Sequence, residues 1–75
     1  MHDYPVIIEA LTSADGGGFL ATVPDLPGCI TTGPTLPDTK INMQEAIRGH
    51  LAVMREFGDP IPQPTTIAEP MQVSA

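Results

Sequence analysis

The chain has 75 residues and a net charge of −6, a length that fits one small domain. A core of that size is marginal without a metal, disulfides or a partner, and the single Cys29 excludes an internal disulfide, which leaves oligomerisation as the source of extra burial. No apolar run approaches a membrane span, and the start MHDYPVII has neither a basic n-region nor a cleavage site, so a cytoplasmic protein without membrane contact is expected.

Charge is laid out unevenly along the chain. Residues 1–35 hold Asp3, Glu9, Asp15 and Asp25 and no Lys or Arg, whereas Lys40, Arg48 and Arg55 all fall in the following helical stretch. An acidic half without a Lys/Arg cluster is a poor surface for phosphate backbones, so direct DNA binding is not expected. It suits a basic protein partner, although acidic residues also simply keep small proteins soluble.

Residues 4–11, YPVIIEAL, read as a strand with Tyr4, Val6, Ile8 and Ala10 on one face. Residues 12–18, TSADGGG, are a turn in which Asp15-Gly16 signals a hairpin. A phosphate cradle is excluded there, because a strand follows directly in place of a helix and a Lys-Ser/Thr pair. Residues 18–24 form the second strand. The corner VPDLPG then turns the chain back: Pro24 and Pro27 fix φ and remove donors, and Gly28 supplies backbone freedom. Cys29 to Thr32 form a short third strand that Gly33 ends.

Thr35 is read as the cap of a helix with Pro37 in its first turn and Asp38 at the capping-box position. Leu36, Met43, Ala46, Ile47, His50, Leu51, Val53, Met54 and Phe57 make its apolar arc, opposite Gln44, Glu45, Arg48, Arg55 and Glu56. Gly58 is the expected stop. Ile41 and Gly49 fit the pattern badly and are the candidate oligomer contacts, tolerance being the alternative. DPIPQP then reads as extended polyproline, and residues 65–75 as a short fourth edge strand or a loose tail. The expected domain is residues 1–64, with 65–75 as an appendage.

This order predicts an α+β fold: a three-stranded antiparallel sheet in β-β-β-α order with one helix on one face. The outer face would carry Ile7, Glu9, Leu20, Thr22, Ile30 and Thr32, and an uncovered mixed face is an interaction site by default. Catalysis finds no support. No HxxxH, CxxC or HxxE spacing exists for a metal, His50 falls in the apolar arc, and Cys29 reads as small buried filler. Glu9 and Glu45 do not converge as a two-metal nuclease would need. No catalytic residue, metal or cofactor is expected.

YPVIIE, then DGGGFLATVPDLPGCITTGPTL, then a helix ending near FGDPIPQP, resembles the HicB-type antitoxins of bacterial toxin–antitoxin pairs over about residues 4–64. The corner VPDLPG with the following strand and G-x-T-L is the specific part. The resemblance implies a partial RNase H-like fold without catalytic carboxylates. It also implies a cytoplasmic antitoxin that masks the catalytic surface of a small, basic, mRNA-cleaving HicA-like toxin of double-stranded-RNA-binding fold. Many members carry a further C-terminal DNA-binding module that represses their own operon; from residues 1–75 repression is not expected. With alternation supplying the residues, Ile7, Leu20 and Ile30 are the expected apolar toxin contacts, Glu9 and Asp25 the charged ones, and Thr22 and Thr32 complete the set. The alternative is an orphan homo-oligomeric scaffold without a toxin partner; in either case a homodimer or higher homo-oligomer is expected.

Overall fold

The computed structural model describes residues 3–74. Strands β1 (Ile7–Ala10), β2 (Phe19–Thr22) and β3 (Ile30–Gly33) are followed by helix α1 (Leu36–Glu56), and a 3-10 turn, Ser13–Asp15, lies between β1 and β2. The sheet is antiparallel in the order β1-β2-β3, as expected for an α+β chain of this pattern.

Register fixes which side chains share a face, because strand side chains alternate. Ile8 pairs with Ala21 and Ala21 with Thr31, so these three lie together on the side that α1 covers. Ala21 is fully buried there, and α1 packs mainly on β3 and β2. The core joins Ala21, Val23, Leu26, Cys29, Met43 and Leu51, with Tyr4, Val6, Ile8, Ala46, Ile47, Met54 and Ile61 against it.

The proline corner does more than reverse the chain. Two of its N–H groups are satisfied locally: Leu26 donates to the Val23 carbonyl at 3.1 Å and Cys29 to the Leu26 carbonyl at 3.0 Å. Gly28 sits at φ 87°, a conformation that L side chains rarely adopt. This tight winding aims Val23, Leu26 and Cys29 inward together, and all three are buried. β3 therefore starts at Ile30, one residue later than the sequence suggests, because the Cys29 amide is already committed to the corner.

The β1–β2 connection is wider than a two-residue hairpin turn. Thr12 Oγ1 accepts from the Asp15 amide at 3.2 Å and donates to the Asp15 carboxylate at 2.8 Å, which closes a 3-10 turn. Gly16, Gly17 and Gly18 then all take positive φ, and the Leu11 amide meets the Gly18 carbonyl at 2.9 Å.

Thr35 caps α1, its Oγ1 accepting from the Asp38 amide at 3.2 Å. At the far end Gly58 takes φ 71°; its amide reaches the Arg55 carbonyl and the Asp59 amide the Met54 carbonyl, the paired bonds of a Schellman stop. Thr35→Ala is expected to cost about 1 kcal/mol in chemical denaturation, with Thr35→Ser near wild type.

Parts of the expected apolar arc are exposed. Leu36, Val53 and Phe57 face solvent, Phe57 with 75% of its surface open. Length contributes: a 21-residue helix runs about 32 Å, whereas strands of 4 residues run about 14 Å, so the strands cannot cover the whole apolar arc. Near the start of α1, Thr39 is fully buried, and its hydroxyl donates to the Thr35 carbonyl at 2.7 Å. A Cβ on Gly33 would lie 2.5 Å from Thr39 Oγ1 and 2.8 Å from its amide nitrogen. Gly33 thus lets the helix backbone approach the sheet, a role beyond ending the strand.

Beyond α1 the chain forms no strand among the described residues. Ile61 joins the core, and the Tyr4 hydroxyl donates to the Pro62 carbonyl. Tail and body meet again at Asp25.

Candidate functional site

The side of the sheet that α1 leaves bare is a compact mixed patch. Ile7 pairs with Thr22 and Thr22 with Ile30 in one row; Glu9 pairs with Leu20 and Leu20 with Thr32 in the next. All of these face away from the helix, and the rows lie about 7 Å apart along the strands. Ile7 is 45% exposed and Ile30 59%, while Leu20 and Thr22 on the central strand are half-buried by their neighbours. The sequence-derived set Ile7, Glu9, Leu20, Thr22, Ile30 and Thr32 is therefore brought together on one surface.

Glu9 is the single charged side chain in these two rows, and it is exposed. Lys40, Arg48 and Arg55 all belong to α1, on the other layer. The bare sheet face thus carries a single negative charge and no cation, whereas α1 balances Lys40, Arg48 and Arg55 against Asp38, Glu45 and Glu56.

Asp25 stands apart from this patch. It lies in the corner, and its carboxylate accepts from Thr65 Oγ1 at 3.0 Å, Thr66 Oγ1 at 2.9 Å and the Thr66 amide at 3.2 Å. Burial pushes its pKa up, but the hydrogen bonds from Thr66 and then Thr65 outweigh this and leave it below the ordinary 3.8. A depressed carboxylate pKa stabilises the clasp above the unfolded value and loses that contribution as pH falls through the folded one. The protection of the Thr66 amide, its exchange rate relative to an unstructured amide at the same pH, is therefore expected to hold above pH 3.8 and to fall below it, with Asp25→Asn removing that fall. Sequence reasoning missed Thr65 and Thr66, because two threonines forty residues from an aspartate carry no spacing signal.

The other candidates are quickly placed. Ile41 is 55% exposed on α1; Gly49 is exposed too, and a Cβ there would meet nothing within 4 Å. Cys29 is a buried free thiol whose pKa burial pushes up, so it is a packing residue and a poor nucleophile. His50 is half-buried on α1, and His2 lies outside the described residues. Among the described residues no three His, Cys, Asp or Glu side chains gather as a metal site, and no helix is long and apolar enough to cross a membrane.

A shallow groove of about 510 Å³ runs between β1 and α1, with Tyr4, Val6, Ile8, Met43 and Ile47 as its apolar lining and Asp3, Lys40 and Gln44 at its rim. It borders the unpaired edge of β1.

Comparison with known proteins gives this architecture a context. The chain is 35% identical over 66 residues to an uncharacterized 14.9 kDa protein of the rep–hol intergenic region of Haemophilus phage HP1, a match covering 88% of this chain and 47% of that protein. It is 38% identical over 60 residues to a UPF0150 protein of Thermoplasma acidophilum, a match covering 80% of this chain and 83% of the archaeal one. The chain thus spans about half the length of the phage relative. The family model described as HicB_like antitoxin of bacterial toxin-antitoxin system matches residues 4–74, nearly all of the sheet, helix and tail described above. The chain belongs to the HicB-like antitoxin family of bacterial toxin–antitoxin systems.

Proposed function

We propose that this chain neutralises a small, basic, mRNA-cleaving toxin of the HicA-like class by laying its bare sheet face over the toxin's catalytic surface. The observation that carries the reading is the face itself: exposed Ile7 and Ile30 around half-buried Leu20 and Thr22, with Glu9 as its charge. An apolar centre excludes water in a complex, and a negative rim attracts the cationic groups with which a ribonuclease holds phosphate. Thr32 completes the contact row beside Leu20. Asp25 has its carboxylate engaged by the tail, so we assign it to holding residues 65–66 and leave the toxin contact to the strand residues.

Sheet order and the single covering helix support reading the domain as a partial RNase H-like binding unit, which we place in the cytoplasm. Masking requires no covalent chemistry of the antitoxin: the bound face excludes RNA from the toxin for as long as the complex lasts.

Co-expression with the product of the adjacent gene, followed by pull-down and an RNA cleavage assay, tests the reading. The expected result is a stable complex in which cleavage is suppressed. Glu9→Lys is expected to slow association several-fold at low salt and much less at high salt, since exposed charge acts mainly through steering. An association rate unmoved by Glu9→Lys at low salt would remove this edge of the sheet from the contact.

A further inference from the structure

At the other edge of the sheet a groove of about 590 Å³ runs between β3 and the second half of α1. Pro27, Gly28 and Ile30 line it from the sheet, and Ala46, Gly49 and Val53 from the helix. β3 is an edge strand, and its backbone is partly open. The Val23 amide meets the Cys29 carbonyl at 3.3 Å, so by antiparallel alternation Thr31 turns its N–H and C=O to β2, while Ile30 and Thr32 turn theirs outward. Asn42 Nδ2 donates to the outward Thr32 carbonyl at 3.0 Å. The Ile30 N–H and C=O and the Thr32 N–H remain for an added strand. The helix leaves room for one: a Cβ on Gly49 would meet nothing within 4 Å, and Val53 is 51% exposed.

Charge selects the occupant. At about 100° per residue around α1, Glu45 and Glu56 lie within about 40° of Gly49, whereas Arg48, Arg55 and Lys40 lie about 100°, 120° and 180° away. Asp59 and His50 are the titratable groups that line the groove itself. The side of the helix that borders this groove is therefore acidic, and the three cations point elsewhere. The groove at β1 lacks that bias, because Lys40 stands at its rim with Asp3.

We propose that an extended, cationic segment of the toxin adds along the outer edge of β3 and lies in this groove, with Gly49 giving it passage beside the helix. Naming the toxin as its source rests on the function proposed above. Ile30 belongs both to the bare face and to the groove, so one partner can hold the two surfaces together around the edge. Main-chain bonds to Ile30 and Thr32 would fix the segment's register, and the acids of α1 would meet its Lys or Arg side chains. A second copy of this chain is the wrong occupant. A two-fold contact through this groove would set Glu45, Glu56 and Asp59 against the same acids of the other copy.

The test uses the purified chain and the toxin encoded by the adjacent gene, with binding followed by surface plasmon resonance and amide exchange by NMR. In the complex the Ile30 and Thr32 amides are expected to exchange about tenfold more slowly or less, while the Thr31 amide, already turned to β2, changes little. Gly49→Leu is expected to weaken binding by about tenfold or more. The melting temperature of the free variant should be unchanged or raised, because leucine is the better helix former and its side chain enters open space. Glu45→Lys with Glu56→Lys is expected to slow association about tenfold at low salt and less at high salt. Binding by these variants that matches wild type, or Ile30 and Thr32 amides that exchange as in the free chain, would overturn the groove proposal and leave the bare-face reading in place. Failure of the wild-type chain to bind that toxin at all would overturn both.

Discussion

Leu26→Ala is expected to be the most damaging single truncation, lowering the free energy of unfolding by about 3 kcal/mol. Leu26 is fully buried, among the largest such side chains of the chain, and sits at the centre of the corner between Val23 and Cys29. The corner cannot collapse around the missing atoms. Two prolines, Gly28 at positive φ and the Val23–Leu26 and Leu26–Cys29 backbone bonds hold it in one shape. A rigid wall keeps its cavity, and the cost then includes the lost contacts as well as the lost transfer energy. Domains of this length have only about 4–11 kcal/mol in total, so the variant should melt far below wild type. Urea denaturation followed by circular dichroism checks it. Leu26→Met should cost less than about 1.5 kcal/mol, because volume is conserved. A loss below about 1 kcal/mol for the alanine variant would mean that the corner yields, and that the core rests on the helix and strands alone.

The corner also shows which parts of this structure are legible in the residues. Strand parity over YPVIIE, FLAT and CIT places every outer-face side chain correctly, because a period of two leaves only one alternative and the apolar set decides between the two. Helix ends are equally readable, since Thr35 and Gly58 are chemical signals for cap and stop. The Pro-Gly corner is recognisable as a turn, but its burial is not, as nothing local says that Leu26 points inward. The helix arc misleads at Leu36, Val53 and Phe57 for a similar reason: periodicity reports a face but not how long the opposing sheet is. Gly33 reads as a strand end, whereas its close approach to Thr39 is a tertiary demand with no local pattern. Asp25 is the sharpest case. Charge and position offer it as a partner contact, and only the three-dimensional path of the tail shows its oxygens engaged by Thr65 and Thr66.

The double variant Ile7→Asp with Ile30→Asp is expected to weaken toxin capture by about a hundredfold or more while leaving the fold intact. The two side chains flank Thr22 in one row across the sheet, about 10 Å apart, which spans the apolar centre of a small interface. In the free chain each is about half open to water, so acidic replacements keep their hydration, and the cost to stability should stay at about 1–2 kcal/mol, from lost strand propensity and half-buried apolar area. In the complex the same carboxylates would be dehydrated against apolar groups of the partner, and a buried charge without a counter-ion is costly. A basic toxin complicates the readout, since added negative charge speeds its approach. The loss should therefore appear in the dissociation rate, with association unchanged or faster, and surface plasmon resonance separates the two. Full capture by the doubly acidic variant would place the toxin on another surface of this chain.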